Sequence, residues 1–434
     1  MMKIFMYLFF MIPMMFLVEC FFLYQFLFLL ISFIFVFFNV NSYFSLISYN
    51  IGIDSFSFGL IFLSLFISCL MMLSMNSSPL FLFLNLALCI ILVLIFSMMN
   101  MMLMYVSFEF SLIPLIFMIL GWGNYPERLI SGLYLFFYTL FASLPLFLII
   151  MYLYNMNGAL FFDLNFGNSL SFYIYVSIYF AFLVKFPMFM LHFWLPKAHV
   201  QAPIFGSMIL AGLLLKIGGY GFIRFMFIFD SMFINYSYIL YSISIFGCIC
   251  VSLICFLQSD VKSLIAYSSV AHMSFCLLGL LTMTKWGLMG CFFMLVGHGM
   301  CSSGLFCLAN ISYNRLLSRS FFINKGMISF MPGISFLWFL FCCFNMSCPP
   351  SINFLSEFMM MISIISYWSF SYLMIFFISF FSAIFSFYLY SFTQHGFMVS
   401  CYSFSFEMVS EYLLIMVHLI PMIFLVLILD FITF

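Results

Sequence analysis

Four charged residues lie deep inside apolar segments of this sequence. Glu109 and Glu357 are acidic, and Lys185 and Lys216 are basic. A charge at the centre of a bilayer costs at least about 2.5–3.5 kcal/mol on insertion scales, so charges there are rare and usually mark an ion or proton pathway. Lysine suits proton transfer because its compact ammonium group changes pKa readily on burial. We therefore predict that these four residues carry protons through a membrane.

Two histidines extend this set. His272 and His298 fall within consecutive apolar segments, with Ser and Gly around them. A lone buried histidine is more often a hydrogen-bonded core residue, and Glu109 could likewise be a packing carboxylate bonded to a neighbouring Ser or Tyr. The alternative is a relay in which both histidines exchange protons, because imidazole titrates near neutral pH. The sequence leaves both interpretations open.

Other polar motifs carry no recognisable chemistry. His192 and His199 flank Pro196 and Lys197, at a spacing that does not suit a metal pair on one helix face. The glycine-rich run 218–221 follows an apolar helix rather than a strand, so we interpret it as close packing or local unwinding beside Lys216. No arrangement of Ser, Cys, His and Asp predicts nucleophilic catalysis, and no site for a redox cofactor or metal is visible.

The composition is that of a membrane protein. Of 434 residues, 68% are hydrophobic and only 5% are charged, and apolar runs long enough to cross a bilayer occupy most of the length. Eleven basic and eleven acidic residues balance, so there is no basic face for nucleic acid. The fourteen cysteines are scattered through apolar segments without a CxxC pair, which indicates small buried hydrophobic residues.

The apolar runs predict an all-α polytopic membrane protein with about fourteen transmembrane helices. Each run should be helical because lipid offers no hydrogen bonds to the backbone, and the runs lack the alternation of a β-barrel. The predicted spans are about 4–18, 20–38, 56–74, 80–97, 99–120, 130–154, 170–192, 203–228, 235–257, 262–282, 286–310, 328–365, 371–392 and 412–432.

Two of these spans should be broken. Pro187 follows Lys185 in the seventh span, and Pro349–Pro350 precede Glu357 in the twelfth. Proline removes a helix hydrogen bond, and paired discontinuous helices indicate inverted repeats with a site near the bilayer midplane. Basic residues in alternate loops place both termini on the outer side. One face carries Arg128, Lys197, Lys262, Arg315, Arg319 and Lys325, and the other carries Lys3, Arg224 and Lys285.

Several of these motifs resemble a known family. They are similar to the chain 4 family of mitochondrial NADH–ubiquinone oxidoreductase, whose members are antiporter-like membrane subunits of complex I. The resemblance covers about residues 100–360, and the flanking parts agree only in hydropathy. It rests on FEFSLIPLIFMILGWG (108–123), PERLISGLYLFFYTLFASLPL (126–146), FLVKFPMFMLHFWLPKAHVQAPI (182–204), LAGLLLKIGGYG (210–221), SDVKSLIAYSSVAHMS (259–274), GHGMCSSGLFCLANISY (297–313) and PPSINFLSE (349–357).

The resemblance implies a fold and roles. It implies fourteen helices with two inverted repeats of about five helices each, and breaks in helices seven and twelve. Glu109 and Lys185 would be the fifth- and seventh-helix partners, Lys216 the central eighth-helix lysine and Glu357 the carboxylate of a second half-channel. It also implies that His272 and His298 lie on the central hydrophilic axis between them.

The expected function is proton translocation within complex I of the mitochondrial inner membrane. The partners would be lipid and other membrane-arm subunits, and NADH, FMN, iron–sulfur clusters and ubiquinone would bind elsewhere, because this chain has no redox centre. We expect four parts: N-terminal helices (1–97), a first half-channel (98–228), a second half-channel (229–392) and a C-terminal loop and helix (393–434). The main alternative is a stand-alone secondary cation/proton antiporter; a structural scaffold would leave the buried charges unexplained.

Overall fold

The protein is a bundle of helices in this computed structural model. The structure describes residues 2–16, 21–36, 40, 44–74, 78–123, 125–164, 171–397 and 406–427. The helices are α1 (Met2–Phe10), α2 (Phe21–Val36), α3 (Ser55–Leu73), α4 (Pro79–Ser97), α5 (Met101–Phe110), α6 (Leu112–Trp122), α7 (Arg128–Asn157), α8 (Phe172–Lys185), α9 (Trp194–Gln201), α10 (Ile204–Ile209), α11 (Leu215–Ile228), α12 (Asp230–Cys255), α13 (Val261–Leu281), α14 (Lys285–Leu316), α15 (Pro332–Asn345), α16 (Ile352–Tyr367), α17 (Ser371–Gln394) and α18 (Val409–Leu427).

The prediction of a polytopic helical membrane protein is confirmed. Within the described ranges, ten helices are long and apolar enough to cross a membrane, with α5 and α6 forming one of them and α10 and α11 another. Shorter apolar helices accompany them, including the first half of the first broken span and both halves of the second. The total of about fourteen spans stays a prediction. The shorter apolar segments are Met2–Met15, Leu23–Val36, Phe172–Lys185, Pro332–Asn345 and Ile352–Tyr367.

Both predicted breaks are present. Helix α8 ends at Lys185 and α9 begins at Trp194, while α15 ends at Asn345 and α16 begins at Ile352. The two breaks are held in the same way, because a side chain of the second segment donates to a carbonyl near the end of the first. Trp194 Nε1 donates to Val184 O at 2.9 Å, and Asn353 Nδ2 donates to Phe344 O at 3.0 Å. These bonds stabilise backbone that lipid could not satisfy.

The helices divide into an inner and an outer set. Every residue in the most apolar window of α14 is buried, as are 94% in the windows of α13 and of the α10–α11 span, whereas α17 is only 33% buried. The inner helices carry small residues where backbones approach. A Cβ at Gly299 on α14 would lie 3.1 Å from Gly212 O. Small residues let membrane helices pack closely, whereas α17 exposes phenylalanines such as Phe376 and Phe380.

A short hairpin between α2 and α3 was not predicted. Strands β1 (Ser45–Ser48) and β2 (Ile51–Ile53) pair antiparallel, and Ile51 also pairs with Met98 after α4. The hairpin defines one end of the bundle, which we call the hairpin face. Because successive spans alternate in direction, the opposite end carries the starts of α7 and α13 and the end of α14. We call it the basic face.

The expected loop position of Arg224 is wrong. Arg224 lies within α11, near its hairpin-face end, and is buried. Its positive charge is paired with Asp54 rather than exposed in a loop. The sequence could not reveal this, because the partner belongs to a helix far away in the chain.

Candidate functional site

Lys216 is the centre of a buried polar cluster. Its side chain is fully buried on α11. Its Nζ atom donates to the Ala211 carbonyl oxygen at 2.6 Å and contacts Nδ1 of His298 at 3.1 Å. A buried ammonium group requires such acceptors, because an isolated charge away from water is costly. Lys216 is therefore bonded to one backbone oxygen and to one ring that can itself take up a proton.

The backbone before Lys216 is unusual. Leu210–Leu214 form a π-helical segment between α10 and α11, and the Ala211 carbonyl used by Lys216 lies within it. Such segments often occur at functional sites. The expected unwinding beside Lys216 thus precedes the lysine, whereas the glycines after it provide close packing. A Cβ at Gly218 would lie 2.6 Å from the Phe186 backbone nitrogen.

From His298 the polar groups continue to the second broken helix. The rings of His298 and His272 have centroids 5.6 Å apart, and His272 Nδ1 lies 3.6 Å from Glu357 Oε1. All are buried, with Glu357 the most exposed at 7%. A cavity of about 20 Å³ lies against His272 and Glu357, which is space for about one water molecule. We call Lys216, His298, His272 and Glu357 the central polar chain.

Lys185 and Glu109 are neighbours but do not bond to each other. Lys185, 1% exposed, donates to the Phe108 carbonyl oxygen at 2.9 Å, and its ammonium lies 3.0 Å from the centroid of the Phe108 ring. Both carboxylate oxygens of Glu109 are buried without a hydrogen-bond partner. Glu109 still acts on Lys185 through its charge. The two groups therefore share no hydrogen bond, and the role of the pair in proton transfer stays a prediction.

A polar cavity opens at the basic face. It has a volume of about 340 Å³, and its lining includes Glu127, Lys197, Gln201 and Arg319. Gln201 Nε2 donates to Glu127 Oε2 at 2.9 Å. We call this cavity the basic-face vestibule. Its lining carries both signs of charge, which favours water over a single type of ion.

Sequence reasoning missed His199 as a member of the polar interior. We considered it only as a metal ligand, yet it is fully buried and both ring nitrogens lack a partner. Its ring stacks on Phe306, with centroids 4.8 Å apart, and the charges of Lys216 and Lys262 act on it. Nothing in the local sequence signals this burial, because Phe306 comes from α14. His199 lies on α9, the helix whose residues Lys197 and Gln201 line the vestibule.

The described residues form no metal-ligating group of three or more His, Cys, Asp or Glu. The cysteines that the structure describes are free. Most are buried among apolar side chains, as expected for small hydrophobic residues.

The fold and the buried charges define a class of protein. It is a multi-span membrane protein in which buried ionisable side chains run from α11 to the second broken helix. Its residues 98–386 match the model of the family described as NADH:quinone oxidoreductase/Mrp antiporter, TM. Residues 1–95 match that of NADH-ubiquinone oxidoreductase chain 4, amino terminus.

Individual relatives agree. NADH-ubiquinone oxidoreductase chain 4 of Locusta migratoria is 49% identical over 425 residues, covering 95% of both chains. That of Aedes aegypti is 52% identical over 392 residues, covering 88% of both. The chain belongs to the NADH-ubiquinone oxidoreductase chain 4 family.

Solved structures share the fold. A chain of respiratory complex I from Thermus thermophilus with bound NADH has a TM-score of 0.86 at 21% identity, covering 94% of this chain and 91% of that one. A chain of an archaeal membrane-bound sulfane sulfur reductase has a TM-score of 0.79 at 18% identity, covering 92% of this chain and 69% of that one. At these identities the similarity concerns the fold alone.

Proposed function

We infer that this chain is a proton-translocating membrane subunit of respiratory complex I in the mitochondrial inner membrane. The observation that carries this function is the central polar chain, in which a buried lysine, two histidines and a carboxylate follow one another across four helices. The complex transfers electrons from NADH to ubiquinone with other subunits holding the cofactors. This chain moves the protons.

Each group of the central polar chain has a role that fits its contacts. Lys216 donates towards His298 Nδ1, which leaves Nε2 of a neutral His298 ring to carry the proton. His272 then lies between His298 and Glu357, within reach of both. A histidine can accept a proton on one nitrogen and release it from the other. In this proposal a proton released by Lys216 passes through both rings to Glu357.

Lys185 and Glu109 act as the switch of the first half-channel, residues 98–228. Lys185 ends α8, where free backbone carbonyls favour a positive charge. Its ammonium is bonded to a carbonyl, while the Glu109 carboxylate nearby has no partner. A small movement of Lys185 from the Phe108 carbonyl to Glu109 would exchange one acceptor for another. The two arrangements would place the charge of Lys185 differently and so change the electrostatic potential at Lys216.

Protons would enter the first half-channel from the basic-face vestibule. Gln201 and Lys197 line this cavity, and His199 on the same short helix is buried behind it. His199 has two free ring nitrogens and is acted on by the charge of Lys216. It is therefore the group we assign to proton transfer between the vestibule and Lys216. Within the second half-channel, residues 229–392, the proposed proton path ends at Glu357.

The test is Lys216→Met in the intact complex, reconstituted in vesicles. Methionine keeps the length of the side chain but cannot carry a proton. We expect proton pumping coupled to NADH oxidation to fall at least about tenfold, which corresponds to about 1.4 kcal/mol of lost stabilisation. The matched control is Lys325→Met, because Lys325 lies at the basic face over Phe322. Normal pumping in the Lys216 variant would refute the proposal.

A stand-alone secondary cation/proton antiporter remains the alternative function, since one matching family model also covers Mrp antiporters. The match of residues 1–95 to the chain 4 amino terminus favours complex I. Mild detergent extraction followed by sizing separates the two: complex I requires co-purification with many other subunits, whereas the antiporter would leave as a small assembly.

A further inference from the structure

A buried ion pair joins α11 to the start of α3. Its arginine, Arg224, lies on α11 about two helical turns beyond Lys216. Arg224 Nη1 is 2.6 Å from Asp54 Oδ2, and the two side chains are only 9% and 6% exposed. The desolvation of two buried charges often costs more free energy than their attraction provides. A buried pair is therefore weak evidence for a role in stability alone. Neither residue belongs to the central polar chain. The position of this pair therefore calls for a functional reason.

Arg224 lies on the same face of α11 as Lys216. Lys216, Tyr220 and Arg224 follow one another at intervals of four residues and share one face of α11. The Tyr220 hydroxyl donates to the Phe96 carbonyl oxygen at 2.9 Å, and the Arg224 guanidinium lies 4.8 Å from the Tyr220 ring centroid. This face leads from the central lysine to the hairpin face, where Asp54 caps the N-terminus of α3.

The guanidinium is fixed in place. Asp54 is itself held, because its Oδ1 accepts from Ser57 N at 2.9 Å and its backbone N donates to Ser57 Oγ at 2.8 Å. The ring of Phe44 lies 4.6 Å from the guanidinium carbon. Yet Nε and Nη2 of Arg224 are buried without a hydrogen-bond partner. The guanidinium is therefore held in place by Asp54, while two of its three nitrogens have no acceptor.

Arg315 shows what a purely anchoring arginine looks like in this protein. At the basic face it donates from both terminal nitrogens to Glu411, at 3.0 and 2.6 Å. It also donates to the carbonyls of Ile311 and Phe406. This two-pronged pairing ties α14 to α18, as a strong Arg–carboxylate contact should. Arg224 instead has one carboxylate contact, through a single nitrogen, and is otherwise surrounded by the rings of Phe44 and Tyr220.

We propose that Arg224, positioned by Asp54, is a charge barrier that closes the proton path at the hairpin face. Arginine does not release its proton in proteins, so Arg224 cannot relay one. Its fixed positive charge instead repels protons and other cations, as an arginine does in selective pores. The barrier prevents protons from flowing passively between Lys216 and the hairpin face. This inference rests on the proposed path through Lys216.

The experiment measures passive proton leak through the intact complex in vesicles, with an imposed pH gradient and no NADH. The variant is the double substitution Arg224→Gln and Asp54→Asn, which removes both charges without stranding either. We expect the gradient to collapse several-fold faster than with the parent complex. The matched control is Arg315→Gln with Glu411→Gln, which removes an equally short ion pair at the other face and should leave the vesicles tight. An assembled double variant with no added leak overturns the proposal.

A single variant keeps the test valid if the double variant does not assemble. Asp54→Asn retains the positive charge of Arg224, so its vesicles should stay tight; a leak there would overturn the assignment of the barrier to that charge. Adding Lys216→Met to the leaky double variant separates this inference from the proposed function. Loss of the leak supports both. A leak that persists leaves the barrier standing and refutes only the path through Lys216.

Discussion

The two broken helices are held by the same kind of hydrogen bond but differ in how their charged side chains are paired. In each, a side chain beyond the break bonds to a carbonyl before it. At the first break the lysine and the carboxylate are neighbours with no bond between them. At the second, Glu357 contacts His272 beside a cavity large enough for water. The first break therefore holds a carboxylate without a hydrogen-bond partner beside a lysine bonded to a carbonyl, whereas the second carries one end of a series of titratable groups.

From this difference we propose a separate function for each region. A lysine that can exchange a backbone acceptor for a carboxylate is a two-state element, and such elements are what couple distant events. In the second region, His272 lies 3.6 Å from Glu357, and the adjacent cavity has space for about one water molecule. We therefore expect substitutions at the first break to affect coupling most strongly, and substitutions at the second to slow proton movement.

The largest effect should come from Glu109→Ala. It removes the carboxylate that acts on Lys185 and leaves a buried lysine without an opposite charge. Loss of one partner of a buried pair typically costs about 3–5 kcal/mol, and Lys185 would escape this cost by becoming neutral. We expect assembly to be largely kept while NADH-driven pumping falls at least about tenfold. Electron transfer and proton uptake are measured on the same vesicles.

Two companion variants sharpen this prediction. Glu109→Asp keeps the charge with a shorter reach and should retain part of the activity. Phe110→Leu changes the next residue, which is 54% exposed on the outside of the bundle, and should have no effect. Full pumping in Glu109→Ala would remove the switch role from the first break.

A smaller loss is expected for Glu357→Gln. Glutamine keeps the size of the side chain beside His272, but it no longer exchanges protons. Because general acid–base groups typically contribute about 10²–10⁴-fold and water in the adjacent cavity can substitute in part, we expect a reduction of about tenfold. The control is Met361→Leu, which changes an apolar residue lining the same cavity. A loss exceeding that of Glu109→Ala would reverse the assignment of tasks.

Stability should respond at the second break when Asn353 is replaced by leucine. The substitution removes the donor to the Phe344 carbonyl in a buried site. An unsatisfied buried polar group costs about 1–3 kcal/mol, so thermal dissociation of the complex should occur several degrees earlier. Ser366→Ala, on the same helix but bonded only to the carbonyl of its own previous turn, serves as the control. An unchanged melting profile would show that this bond does not hold the break.

The smallest effect should be that of Trp194→Phe at the first break. Phenylalanine retains most of the packing of Trp194 and loses only the bond to Val184 O. A net hydrogen bond contributes about 0.5–1.5 kcal/mol, so we expect a modest loss of stability with pumping nearly unchanged. If Trp194→Phe instead uncouples pumping as strongly as Glu109→Ala, then the geometry of the break, and not the Glu109 charge, controls the first region.

Most of the helices could be predicted, because lipid imposes one rule on every span. The apolar runs that predicted spans at 80–97 and 371–392 correspond closely to α4 (Pro79–Ser97) and α17 (Ser371–Gln394). The hairpin β1–β2 could not, because short strands outside the bilayer obey no such rule. The π-helical segment before Lys216 also gave no signal, since Leu, Ala and Gly are equally compatible with a regular helix.

The candidate site was predictable in its members more than in its contacts. Glu109, Lys185, Lys216 and Glu357 stand out because a charge in an apolar run has no cheap explanation. Whether Lys185 bonds to Glu109 or to the Phe108 carbonyl depends on atomic distances between α5 and α8, which no local pattern encodes. His199 was undervalued for the same reason.

The sequence by itself determined that this protein crosses a membrane many times, where two of its helices break, and which charges are buried in it. These follow from the cost of exposing backbone and charge to lipid, which each segment meets alone. Only the tertiary structure decided that Lys216 contacts His298 and that Arg224 pairs with Asp54. Those pairings join helices far apart in the chain, and they exist because a buried charge must find a partner wherever packing brings one within reach.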